Sequence, residues 1–139
     1  MRYFDSKCES NFCKKNQRCF YISNNAKLAE RINANGVYIS STNRNLNLRT
    51  HRFKKKFKIL GSAHNLKEIK IKELQNTNEI FLSPLFKKKI NQQLNIYRYL
   101  KLRETTNMSD ISLGGINNKN FKKLNMIKPF GFAGISYFE

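Results

Sequence analysis

The 139-residue chain carries 27 Lys and Arg against 9 Asp and Glu, a formal charge of +18, and 40% of its residues are hydrophobic. That is material for one folded domain over residues 1–139, but too little for a complete eight-unit βα barrel, which takes roughly 250 residues. No run approaches the ~18 apolar residues of a membrane span, and residues 1–16 lack a signal peptide's apolar stretch, so a cytoplasmic protein with no membrane partner is expected.

In chain order, residues 3–16 read as a helix, with Phe4, Cys8 and Phe12 at spacings of four. Cys8, Cys13 and Cys19 are odd in number, spaced unlike a zinc site and without a neighbouring histidine, so reduced thiols and no metal are expected. Short apolar or β-branched runs recur at 19–23, 36–40, 58–63, 80–85, 110–116 and 131–138. They are too short for helices and mostly continuous, as in parallel strands covered on both faces.

Helix-period stripes lie between these runs. The first is Ala26, Leu28, Ala29 and Ile32, and the second is Leu66, Ile69, Ile71 and Leu74. The third is Leu94, Ile96, Tyr97 and Leu100, and the fourth is Phe121, Leu124 and Ile127. Asn25, Asn65 and Asn117 or Asn118 stand where N-caps are needed. Pro84 falls at a strand end and Pro129 just before a strand. The alternation predicts an α/β fold with about six parallel strands, an incomplete TIM-type βα barrel with helices outside.

The charge by itself is the footprint of a polyanion binder. Its excess is Lys rather than Arg, spread along the whole chain beside abundant Asn and Ile, residues that share A/T-rich codons. The densest runs, 52–56 and 87–89, flank predicted strands and read as solvated loop or helix-end residues. A nucleic-acid partner is therefore the lesser alternative.

The chemistry concentrates at strand ends. Ser112-Leu113-Gly114-Gly115-Ile116 and the later Gly131-Phe132-Ala133-Gly134-Ile135-Ser136 each end a strand in small residues, leaving backbone N–H groups free to face a phosphate. In βα barrels the phosphate cup lies after the seventh and eighth strands. His64 follows another strand's carboxyl end, where such folds place proton-transfer groups; His51 has no such frame and reads as surface.

Five segments in order resemble the thiamine phosphate synthase/TenI family, a βα barrel, with the match running over about residues 19–138. They are Ala26-Lys27-Leu28-Ala29 with Gly36-Val37-Tyr38-Ile39; Leu60-Gly61-Ser62-Ala63-His64-Asn65-Leu66-Lys67-Glu68; Ile80-Phe81-Leu82-Ser83-Pro84-Leu85-Phe86; Ser112 to Ile116 with Asn120; and Gly131 to Ser136. The resemblance implies that the chain supplies strands three to eight. It implies phosphate binding by Gly114, Gly115, Ile135 and Ser136, and His64 as the acid/base. Ser62, Asn24, Asn43, Lys87, Lys88 and Lys89 become candidate substrate-lining residues. Family synthases hold Mg²⁺ on two carboxylates that align with Asn24 and Asn43, and an amide pair lacks the charge that holds this cation.

The retained residues therefore favour a TenI-like tautomerase acting on a phosphorylated thiazole, without a cofactor. The alternative is the synthase, which joins hydroxymethylpyrimidine diphosphate to thiazole phosphate and would call for Mg²⁺. A non-catalytic remnant is the third reading. Two unpaired barrel edges imply self-association, or cover by the first helix.

Overall fold

A computed structural model of the chain describes residues 6–49, 52–86, 94–134 and 137. Six strands form one sheet, β1 (Tyr21–Ser23), β2 (Gly36–Ile39), β3 (Lys58–Ala63), β4 (Glu79–Leu82), β5 (Ser109–Leu113) and β6 (Gly131–Ala133). They lie side by side in sequence order and every pairing is parallel. The α/β reading with six parallel strands holds.

Helix α1 (Ser6–Lys15) precedes β1, and α2 (Ala26–Arg31), α3 (Leu66–Leu74), α4 (Asn95–Arg103) and the short α5 (Leu124–Ile127) lie in the crossovers. The caps expected from sequence form at two of them. Asn25 Oδ1 accepts from Leu28 N–H at 3.0 Å, and Asn65 Oδ1 accepts from Glu68 N–H at 3.0 Å. Asn117 instead accepts from Lys119 N–H at 3.0 Å, making a turn ahead of the last crossover.

The outer, helix-facing side of the sheet holds the core. Ala63, Ile69, Ile80, Leu82, Leu85, Tyr99, Ile116, Leu124 and Ile127 form one cluster, and Ala29, Val37, Ile39 and Ile59 a second. The expectation of strands buried on both faces holds for β3, whereas β4 and β5 alternate buried with half-buried residues. Phe81 and Ile111 are register partners on the inner face and only half-buried, with the Tyr38 ring packed edge-on against Phe81 at 5.7 Å. A sheet of six strands leaves part of that face uncovered, which continuous apolar runs do not reveal.

Several stripes differ from expectation. In α3 the buried positions are Ile69 and Lys72, while Leu66 and Leu74 are both 46% exposed. In α4 Tyr99 is fully buried and Tyr97 is 74% exposed, because the Tyr99 hydroxyl donates to buried Asp110 at 2.6 Å and receives Ser112 Oγ–H at 2.9 Å. In α1 Cys8 and Phe12 face solvent and Ser10 is buried instead, its hydroxyl 3.4 Å from the Ile32 carbonyl. The run 80–85 yields a strand ending at Leu82, and the Ser83–Pro84 peptide that follows is cis.

Candidate functional site

The carboxyl ends of β3, β4 and β5 meet in one place. Ser62, buried at 4% exposure, pairs in register with Phe81, and β3 ends one residue later at Ala63. His64 comes next and is held twice. Its backbone N–H donates to Glu68 Oε2 at 2.7 Å, while Glu68 Oε1 receives Asn65 Nδ2–H at 2.9 Å, so the cap of α3 also fixes the histidine's main chain. The ring's Nδ1 lies 2.6 Å from the Ser83 carbonyl and 3.2 Å from Ser83 Oγ. A carbonyl only accepts, so Nδ1 carries a proton, and in the neutral ring the lone pair lies on Nε2.

Ser83 leads directly into the glycine pair's neighbourhood. Beyond Pro84 the chain pairs with the end of β5, Leu85 N–H donating to Leu113 at 2.9 Å and Phe86 N–H to Gly114 at 2.8 Å. Gly114 and Gly115 have φ of +101° and +71°. A side chain at Gly115 would overlap the Phe86 carbonyl, and one at Gly114 would press on Pro84. Two consecutive left-handed residues so close to another backbone admit only glycine. Asn120 pins the turn, donating Nδ2–H to Gly115 O at 2.8 Å and accepting Asn117 N–H at 2.9 Å. The Gly115 N–H donates to no group among the described residues. The structure thus links His64 to Gly114 through the Ser83–Pro84 dipeptide, while the cavity that His64 itself lines is walled by Leu66, Leu94, Arg98, Lys101 and Leu102. Ile135, Ser136, Lys87, Lys88 and Lys89 lie outside the described residues, as does His51.

Asn24 and Asn43 come together elsewhere, at the ends of β1 and β2. Asn24 has φ +54°, and its Oδ1 accepts both Ser40 N–H at 3.0 Å and Asn43 Nδ2–H at 3.1 Å. Asn43 Oδ1 accepts Asn45 N–H at 2.9 Å. Both amide oxygens are engaged, neither residue is a carboxylate, and no cluster of three His, Cys, Asp or Glu that could hold a metal occurs among the described residues. This donor set does not fit Mg²⁺, which asks for free anionic oxygens.

A buried anchor holds the loop after β2, and no sequence signal points to it. Lys72 Nζ donates to the Asn43 carbonyl at 2.8 Å and to Gln75 Oε1 at 2.9 Å, while Gln75 Nε2 donates to Asn43 O at 3.1 Å and Asn45 O at 2.8 Å. Both side chains are fully buried. Burial pulls the Lys72 ammonium down to about 8, a fall that the charge of Glu68 partly opposes. The residue that makes room is Gly61, where an added Cβ would come within 3.0 Å of Lys72 Cδ.

Comparison with known proteins decides the family. The family model described as thiamine monophosphate synthase matches residues 7–138. The chain belongs to that family. Among curated relatives, a thiamine-phosphate synthase of Prochlorococcus marinus is 30% identical over 125 residues, covering 83% of this chain and 34% of the relative. One from Clostridium botulinum is 28% identical over 120 residues, covering 83% and 57%. Thiamine phosphate pyrophosphorylase from Pyrococcus furiosus superposes with a TM-score of 0.75 at 18% identity, covering 94% of this chain and 64% of that one. The chain thus spans between a third and just under two thirds of the length of these proteins. The six strands are six strands of that family's TIM-like fold. No helix among the described residues is long and apolar enough to cross a membrane.

Proposed function

We propose that this family member binds a phosphorylated thiazole at Gly114-Gly115 and moves a proton on it with His64, without a metal. The observation that carries the reading is the Ser83–Pro84 dipeptide between them. Ser83 orients the His64 ring, Pro84 follows it, and Gly114 packs on Pro84, so the candidate base and the start of the glycine pair meet the same two residues. Backbone N–H groups at such a turn suit a phosphate dianion. His64 Nε2 would accept a proton from one ring position and return it to another, which needs no co-reactant. Ile135 and Ser136 would complete the phosphate cup, with Ser62 and Lys87, Lys88 or Lys89 along the substrate.

The synthase is the second reading, favoured by the similarity to proteins named as thiamine-phosphate synthases. It would have to stabilise a departing diphosphate without the carboxylates that Asn24 and Asn43 replace. Loss of one such electrostatic contact costs ~10²–10³ in rate. Solvent-deuterium incorporation into thiazole carboxylate phosphate separates the two. It should occur in the wild type and fall at least ~10²-fold in His64→Asn. Mg²⁺-dependent thiamine phosphate formation that survives this substitution would restore the synthase. Calorimetry with Gly115→Asp checks the phosphate site, since the carboxylate would both fill the turn and repel the anion; unchanged affinity would refute it. Self-association through the free edges of β1 and β6 belongs to the same proposal.

A further inference from the structure

Between α3 and α4, in the outer helix layer, a cavity of about 330 Å³ lies open to solvent. Leu66, Leu94 and Leu102 form its apolar walls, and His64, Arg98 and Lys101 border it. Leu66 belongs to a helical stripe expected in the core, yet it is 46% exposed and lines this cavity instead. The glycine pair of the proposed phosphate site lines no part of it.

What the polar groups here can offer is set by bonds already made. Asn65 Oδ1 accepts Glu68 N–H at 3.0 Å, and the two Glu68 carboxylate oxygens are taken by His64 N–H and Asn65 Nδ2–H. The Thr105 carbonyl receives the Lys70 ammonium at 3.2 Å, and the Thr105 hydroxyl donates to the Leu102 carbonyl at 2.6 Å. His64 spends Nδ1 on the Ser83 carbonyl. The Arg98 guanidinium and the Lys101 ammonium are different. Both residues are exposed, and neither side chain has an ion pair or hydrogen bond with any described residue. Three positions apart on α4, they stand on one face of the helix. The cavity therefore combines apolar walls with two unpaired cations, and its neighbouring carboxylate is already engaged. A ligand that matches it carries an apolar body and one anionic group. A neutral ligand would leave both cations unpaired, and an amine would be repelled.

We infer that this cavity binds a small apolar carboxylic acid, its body against Leu66, Leu94 and Leu102 and its carboxylate at Arg98 and Lys101. The volume lies at the small end of the range for small-molecule sites, about 300–1,000 Å³, so the occupant is a compact molecule. A guanidinium matches a carboxylate with two parallel N–H bonds, and Lys101 adds a second charge. Since His64 borders the same cavity, the bound acid lies beside its ring. The site takes the acid whether or not His64 transfers a proton, so the inference does not rest on the proposed thiazole chemistry.

Hexanoate is the probe, used with the full chain. A chain of charge +18 attracts any anion, so acetate, which keeps the charge without the body, and hexan-1-ol, which keeps the body without the charge, are the controls. Calorimetry should give one equivalent of hexanoate, bound at least ~10-fold tighter than either control. The His64 ring signal in NMR, identified by its loss in His64→Asn, should shift with hexanoate and stay in place with acetate. Arg98→Gln combined with Lys101→Gln should weaken hexanoate at least ~10-fold while melting is unchanged, since both side chains are exposed. Leu66→Gln should weaken it as well, through the loss of one apolar wall. Equal binding of hexan-1-ol, unchanged affinity in the Arg98→Gln/Lys101→Gln variant, or a His64 signal that does not move would each overturn the inference. Gly115→Asp should bind hexanoate as the wild type does, which separates failure of this site from failure of the phosphate site.

Discussion

Lys72 carries a positive charge where water does not reach, and the protein spends that charge on positioning the carbonyl of Asn43. Its ammonium titrates near 8 in the folded chain because burial penalises the charged form, whereas an unfolded lysine holds its proton to about 10.4. Between these values the unfolded state binds more protons, so this residue makes stability rise with pH across that window. Below pH 8 its contribution is flat and the cost of the buried charge is greatest. Denaturant melts at pH 7.5 and 9.5 should show the wild type gaining about 1–2 kcal/mol relative to Lys72→Met. A difference that does not change with pH would show that Lys72 titrates normally. At Gly61, alanine should crowd the lysine stem and lower stability by about 1–3 kcal/mol.

Elements are joined by a few polar side chains as much as by the apolar core. Arg103 on α4 donates Nη1–H to the Ile127 carbonyl at 2.6 Å, closing the end of α5, while its Nε lies 3.3 Å from Asp110 Oδ1 on β5. Asp110 is buried and also accepts the Tyr99 hydroxyl, whose own ionisation is pushed well above the usual range by burial and by that carboxylate. Removing the guanidinium leaves a buried carboxylate without its cation and a helix end without its donor. Arg103→Ala should cost about 2–3 kcal/mol in urea unfolding, and Arg103→Lys should recover little, since one ammonium cannot serve both places. At the start of α3, Asn65→Ala should cost about 1 kcal/mol. That substitution also frees Glu68 from Asn65, so it should loosen the His64 main chain and lower proton-transfer rate more than substrate affinity.

At the scale of the whole molecule two forces oppose each other. The +18 charge makes copies repel, since it is what remains after all nine Asp and Glu are counted against the 27 Lys and Arg. The outer edges of β1 and β6 pair with nothing among the described residues, and half-buried Phe81 and Ile111 lie on an inner face that six strands only partly cover. Screening weakens the repulsion and leaves the edges intact. Sedimentation should therefore show a mass near 16.4 kDa at low salt and a rising, concentration-dependent mass at about 0.3 M salt. A monomer at every ionic strength would rule out association through the edges.

Strand number, parallel pairing and the βα alternation were legible in the sequence because continuous short apolar runs and 3.6-residue stripes report local periodicity. The caps at Asn25 and Asn65 were legible for the same reason, since a cap is a bond to a residue three positions away. So were Gly114 and Gly115, whose lack of a side chain is itself the signal. The pairing of Asn24 with Asn43, the seat of His64 on Ser83 and the burial of Lys72 and Gln75 were decided only by tertiary structure. Each depends on a partner 19 to 32 residues away, and nothing in an Asn or a Lys by itself says where such a partner will be. Tyr99, which a stripe built on Tyr97 missed, also needs tertiary structure, because its hydroxyl bonds Asp110 and Ser112 on β5, 11 and 13 residues further on. Local chemistry set the elements, and long-range hydrogen bonds between polar side chains and distant backbone set where those polar side chains are held.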